Sequence, residues 1–185
     1  QASVFASNWL VVGRLDQVPK PGDFFTIDVN GEPLIITRSD DGKLRAFYNV
    51  CRHHAAAVEP AAAGCTKHFR CPYHGWTYAN DGSLKGMVEF EGVANFDRSN
   101  NGLVHVRVDS WENFIFVNLD GKAAPLLDFL GKVPELVAPL ELTKKLHYFD
   151  RRIYTLQCNW KVYVDNYLDG GYHVPHAHKG LSSVV

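Results

Sequence analysis

Apolar and polar residues alternate along the first two-thirds of the chain, and Gly, Asn or Asp interrupts the pattern every few positions. Phe24-Phe-Thr-Ile-Asp-Val29 and Leu34-Ile-Ile-Thr-Arg38 flank Asn30-Gly31, a pair that tolerates the positive φ angles of a two-residue hairpin turn. Pro33 cannot donate to a β-ladder, so the second of these strands is expected to begin late or to lie at an edge. Asp40-Asp-Gly42 turns the chain into a strand over 44–50, which ends on Cys51. A strand over 69–71 and another over 76–78 follow, the latter turned by Asn80-Asp-Gly82. Leu103–Val108 alternates, while Phe114–Leu119 is apolar enough to be a mostly buried strand. Short strands with such punctuation predict an antiparallel sandwich or small barrel.

The pattern changes near residue 121. Gly121–Pro125 is a boundary in composition, giving a first domain over 1–124 and a second over 125–185. Leu126–Leu130 predicts a short helix and His147–Leu156 a strand. From Trp160 the apolar positions fall at Trp160, Tyr163, Val164, Tyr167 and Leu168, which is helical spacing. The fold class expected is therefore α+β, with an all-β front. The alanine runs 55–57 and 61–63 read as loop filler.

Composition narrows the function classes. Hydrophobic residues make up 46% of the 185, enough for a real core and too many for a disordered chain. A formal net charge of −1 gives no support for nucleic acid or for an anionic membrane surface as partner. No apolar run has the length of a membrane span, and the N-terminus lacks a signal-peptide pattern. Four cysteines, two of them claimed below by a metal, argue for a reducing soluble compartment: cytoplasm, or chloroplast stroma in a plant or alga.

The chemistry concentrates in two places. The first is Cys51-Arg-His53, followed after seventeen residues by Cys71-Pro-Tyr-His74. Each clip is short enough for one tight loop to aim both side chains at a point. Two thiolates with two imidazoles suit zinc, and they also suit a Rieske [2Fe–2S] centre, in which histidines replace two cysteines on one iron. Zinc fingers usually present a Cys pair and then a His pair, unlike the order here. Cys65 and Cys158 are left over and read as small buried hydrophobes.

The second place is Asp165-Asn-Tyr-Leu-Asp169-Gly-Gly-Tyr-His173-Val-Pro-His176-Ala-His178. Two histidines and a carboxylate with open positions are the ligand set of non-haem Fe(II) oxygenases. His176 shares a helix face with His173 at i,i+3, but Pro175 argues that the helix has ended or bent, so spacing leaves His176 and His178 level. A solvated, polar helix end is the plain alternative for the whole segment. Asp169 and Asp165 are both candidate acids, and Asn166 is either a group near the metal or a cap.

The stretch from Cys51-Arg-His-His-Ala through Cys71-Pro-Tyr-His-Gly-Trp76 resembles the cluster motif of the Rieske non-haem iron oxygenases, the ring-hydroxylating α subunits. The high-potential Rieske proteins carry an extra cysteine in each loop, and here Tyr73 stands between Pro72 and His74. The resemblance extends over essentially the whole chain. It implies an antiparallel Rieske domain followed by the start of a helix-grip catalytic domain. It also implies a [2Fe–2S] cluster on Cys51, His53, Cys71 and His74, with the two cysteines on the ferric iron and the two histidines on the iron that changes valence. His173 and His178 match the four-residue gap of the family's mononuclear Fe(II) ligands, and Asp169 matches the carboxylate that joins the two centres. Many members place that acid three residues before the first histidine, whereas Asp169 precedes His173 by four, as in choline monooxygenase-like members. The family's third iron ligand and its substrate pocket lie far downstream, so the sequence is expected to be the front of a longer α subunit.

The activity implied is O2-dependent hydroxylation of a small organic molecule, with choline or another quaternary amine ahead of an aromatic ring. No G-x-G-x-x-G fingerprint is present, so electrons are expected from a separate ferredoxin or flavin reductase. The resemblance further implies a homotrimer or a multiple of three, with electrons crossing between subunits. Two readings from other classes stand beside it: a stand-alone Rieske ferredoxin, and a zinc-stabilised interaction module.

Overall fold

The computed structural model describes residues 2–141, 146–169, 171–178, 180 and 182. Contacts divide the chain into two compact units, 1–148 and 149–185.

The first unit is an antiparallel β structure preceded by a short helix, α1 Ala2–Ser7. Its strands are β1 Leu10–Arg14, β2 Asp23–Val29, β3 Glu32–Arg38, β4 Leu44–Tyr48, β5 Ala63–Cys65, β6 His68–Arg70, β7 Thr77–Ala79, β8 Leu84–Gly86, β9 His105–Trp111 and β10 Phe114–Asn118. Seven of them form one sheet in the order β1-β10-β9-β4-β3-β2-β5, and β6-β7-β8 form a second. The β2–β3 hairpin turns on Asn30 (φ 58°) and Gly31 (φ 85°), as its sequence requires. Strand β3 is not an edge: it lies between β2 and β4. Pro33 is accommodated because the β4 pairing starts one residue later, at Leu34 opposite Tyr48, and its carbonyl still accepts from Asn49 N–H at 2.7 Å.

Strand β3 shows why an unbroken apolar run belongs there. Leu34, Ile35 and Ile36 are all fully buried, because both faces of the strand are covered. Leu34 and Ile36 join Phe25, Ala46, Ile115 and Val117 in one core. Ile35 faces the other way, toward Phe24, Phe47, Phe69, Trp76 and Tyr78. Cys51 and Cys71 belong to that second core, so the sheet-to-sheet interior ends on two thiols.

Three sequence expectations need correction. The stretch 147–156 pairs with no strand among the described residues and has no regular structure. Ala63 is not filler: it opens edge strand β5 opposite Phe25. Cys65 and Cys158 are exposed, Cys65 because β5 is a short edge strand. After β10 the first unit continues to residue 148. Two short helices, α2 Leu126–Leu130 and α3 Val133–Val137, follow, and Leu126 is buried against Trp9 and Phe116.

In the second unit α4 spans Trp160–Leu168, and its N-terminus is capped by the Asn159 side chain, which accepts from Lys161 N–H at 3.0 Å. A short α5 spans His173–Ala177. Pro175 is its third residue, where a missing N–H costs nothing. Asn166 lies inside α4, so capping falls to Asn159.

Candidate metal centres

Two loops with one geometry carry the first centre. The first follows β4, and the second joins β6 to β7. In the first, Cys51 N–H donates to Ala56 O (2.8 Å) and Ala55 N–H donates back to Cys51 O (2.9 Å). In the second, Cys71 N–H donates to Trp76 O (2.8 Å) and Gly75 N–H to Cys71 O (3.0 Å). The same offsets recur, and so does the left-handed residue that closes each turn: Ala55 at φ 58° and Gly75 at φ 71°. Gly75 meets the steric demand freely; Ala55 meets it at a cost, which its closing hydrogen bonds offset.

Asn49 sets the first loop on the sheet. Its buried Oδ1 accepts from Val58 N–H and Glu59 N–H, both at 2.9 Å, and its Nδ2 donates to Glu59 O at 2.7 Å. Tyr78, fully buried on β7, reaches back across the interior. Its oxygen accepts from Arg52 N–H at 3.0 Å and lies 3.3 Å from Cys51 Sγ. With the backbone N–H filling an acceptor site, the phenol proton is free to point at sulfur. Burial first, and then the bond to Cys51, push the Tyr78 pKa up, so the phenol keeps that proton.

The donors are sorted by burial. Cys51 is 3% exposed and Cys71 2%, whereas His53 and His74 reach the surface. The two imidazole centroids are 4.8 Å apart. His54 joins them, 4.0 Å from His53, and the ligand nitrogens of all three histidines lie within 4.8 Å of one another. Slight burial, followed by the charges of His54 and His74, lowers the His53 pKa. A cleft of about 550 Å³ opens over this face, lined by His53, Arg70, Tyr73, His74, Glu89 and Phe90. Two unbridged buried thiols and two surface imidazoles on matched loops are a donor set that fits a Rieske cluster, with sulfur toward the core and nitrogen toward solvent.

The second centre separates the three later histidines. His173 Nε2 and His178 Nε2 are 2.8 Å apart. His176 turns away, with Nδ1 2.8 Å from Tyr172 O and its ring stacked on Tyr172 at 3.7 Å. The helix placed by Pro175 explains the choice, since His178 is the residue just past α5 and swings back to its start. Asp169 ends α4 and is exposed; its N–H donates to Asp165 O at 3.0 Å. Tyr78, Asn49 and His54 carry no motif signal. Only the doubled histidine in Cys-Arg-His-His could have pointed to one of them.

Matched ligand loops of this kind, on an antiparallel sheet and followed by a helical segment with a paired-histidine site, define an iron–sulfur electron-transfer domain joined to a non-haem iron segment. Residues 8–97 match the Rieske [2Fe-2S] domain, and residues 143–185 match the ring hydroxylating alpha subunit (catalytic domain). Choline monooxygenase of Arabidopsis thaliana, a chloroplastic protein, is 39% identical over 97% of this chain and 45% of its own length. A quaternary ammonium Rieske monooxygenase, whose structure bears on carnitine oxidation by gut microbiota and on inter-subunit electron transfer, superposes with a TM-score of 0.89 at 36% identity. That match covers 96% of this chain and 49% of the other. Naphthalene 1,2-dioxygenase superposes at 0.85 with 32% identity, covering 94% and 40%. The chain belongs to the Rieske oxygenases, the ring-hydroxylating α subunit family. It spans about half the length of the relatives it matches. The cofactors that follow from the two domains are a [2Fe–2S] cluster and a mononuclear iron. Among the described residues no helix is long and apolar enough to cross a membrane.

Proposed function

We propose that this chain is the electron-receiving and iron-binding front of an oxygenase that hydroxylates a quaternary amine of the choline or carnitine type. The observation that carries the reading is the His173–His178 contact at 2.8 Å, in a chain that also brings His53 and His74 together and buries Cys51 and Cys71 in one core. An electron carrier alone has no use for that second pair, and a zinc module has none either. When bound, the cluster supplies single electrons and the mononuclear iron supplies O2 activation.

The residues divide the work. Cys51 and Cys71 would hold the cluster from the buried side, and His53 and His74 would hold it from the surface. Tyr78 steadies the sulfur of Cys51. His173 and His178 are two of the mononuclear iron's ligands. Asp169 orients His173, and in a trimer it reaches His74 of a neighbouring copy, giving a short hydrogen-bonded route between centres. Inter-subunit transfer in the carnitine-oxidising relative supports that arrangement. A ferredoxin or flavin reductase supplies the electrons. In role, residues 1–124 serve the cluster and 125–185 open the catalytic domain. Exposed free Cys65 and Cys158 suit a reducing compartment, cytoplasm or stroma. The aromatic-ring alternative rests on the naphthalene dioxygenase likeness, at lower identity than the quaternary-amine relatives.

The test compares wild type with Asp169→Ala in the native protein, fed electrons by a reductase and offered choline, carnitine and naphthalene in turn. Wild type should oxidise a quaternary amine. Asp169→Ala should keep its iron and acid-labile sulfide yet form product at least a hundredfold more slowly. Full turnover by a metal-replete Asp169→Ala protein would sink the joining role, and naphthalene oxidation alone would move the substrate class to aromatics.

A further inference from the structure

The two surface imidazoles rest on different supports. His53 lies parallel to the indole of Trp76, with centroids 4.8 Å apart and planes 6° apart. Trp76 is itself 3% exposed, inside the second core. Phe90 and Phe96 meet it edge-on at 5.7 and 6.0 Å, with interplanar angles of 84° and 82°. Those two rings contact each other at 4.5 Å, so the indole is held on its edges by a paired clamp. His74, by contrast, stacks at 3.9 Å on Tyr73, a residue 65% exposed. One histidine therefore sits on a fixed plate and the other on a ring free to move.

We propose that Trp76 is a positioning residue: clamped by Phe90 and Phe96, it fixes the plane of the His53 imidazole, leaving His74 as the ligand that adjusts when a partner arrives. Flat aromatic stacking resists tilting of either ring, and burial removes the rotamers by which Trp76 could follow a tilting imidazole. A ligand whose plane is set by its support keeps one bond geometry through oxidation and reduction. Phe90 and Phe96, which carry no donor atom, thus act on the centre through Trp76.

This inference rests on His53 and His74 being cluster ligands, and one experiment separates the two claims. Nitrogen hyperfine couplings are measured by pulsed EPR on the reduced protein, in wild type, Trp76→Phe, Trp76→Leu, Phe90→Leu and Tyr73→Leu. Wild type should show two ligand nitrogens; a protein with none sinks the cluster assignment itself. Trp76→Leu should shift or broaden one coupling and leave the other in place, with Trp76→Phe restoring it. Phe90→Leu should move the same coupling by less, and Tyr73→Leu should leave that coupling alone. Unchanged couplings in Trp76→Leu, even with a lower Tm, would reduce Trp76 to core packing and overturn the proposal. Should Trp76→Leu fail to take up a cluster, Phe90→Leu decides, because it leaves the indole stack intact: an unmoved coupling there overturns the proposal equally.

Discussion

The Tyr78 hydroxyl, 3.3 Å from Cys51 Sγ, is one buried group that serves both that sulfur and the Arg52 N–H. A hydrogen bond to a ligand sulfur draws off charge and so favours the reduced centre. Tyr78→Phe should therefore lower the reduction potential. One neutral bond contributes about 1 kcal/mol, which for a one-electron couple is on the order of tens of millivolts. A potentiometric titration of the visible spectrum checks it, and an unchanged potential would mean the phenol proton points elsewhere. This residue was invisible in the sequence. Cys51, His53, Cys71 and His74 stand out as candidates because ligand spacing is local, within one loop each. Tyr78 acts through a strand that returns across the core to the other loop, and nothing in the letters between 51 and 78 states that meeting. Asn49 was hidden for the same reason, since its partners lie nine and ten residues on.

Hairpins and loops were legible to the extent that turn chemistry decided them. Asn30-Gly31 fixed the β2–β3 register directly, whereas Pro33 misled, because its tolerance depends on where β4 stops pairing. The 147–156 stretch has the letters of a strand but no sheet edge to join among the described residues, and β structure needs a partner that a sequence window does not contain. The β3–β4 turn makes its own prediction. Arg45 grips Asp41 through Nη1 at 2.6 Å and Nη2 at 2.9 Å, and Ser39 Oγ donates to the same carboxylate at 2.6 Å. The Arg45 bond first, and then Ser39, hold the Asp41 carboxyl well below its ordinary range. A carboxyl depressed on folding supports the fold fully above its unfolded pKa, roughly 3.9, and that support is lost as pH falls below it. Asp41→Asn should thus be less stable than wild type at neutral pH, with the gap closing below about pH 4. Urea midpoints measured across that range test it; a gap that stays constant to low pH would exclude the ion pair as its source.

Taken as a molecule, the chain sets its two candidate metal sites on unlike foundations. The first rests on a sheet core, and the second on two short helices whose flanking side chains are largely uncovered, Phe149 at 94% and Tyr167 at 79%. Spacing alone left His176 and His178 level and the family resemblance favoured His178; His176 pairs with its own Tyr172 carbonyl, while His178 Nε2 lies 2.8 Å from His173 Nε2. Accordingly His178→Ala should lose the mononuclear iron and keep the visible cluster spectrum, while His176→Ala should keep both. Iron and sulfide analysis of the two variants distinguishes them, and iron loss in His176→Ala would reverse the assignment.

The burial of Cys51 and Cys71 beneath exposed imidazoles also governs how a stored sample decays. Oxidants reach thiols they can touch, and here those are Cys65 and Cys158. Peptide mapping of an aged, bleached preparation should find covalent damage on that outer pair and intact thiols at Cys51 and Cys71. Colour would fade by iron leaving through the histidine side, and fresh iron and sulfide would restore it without repair of the two inner cysteines.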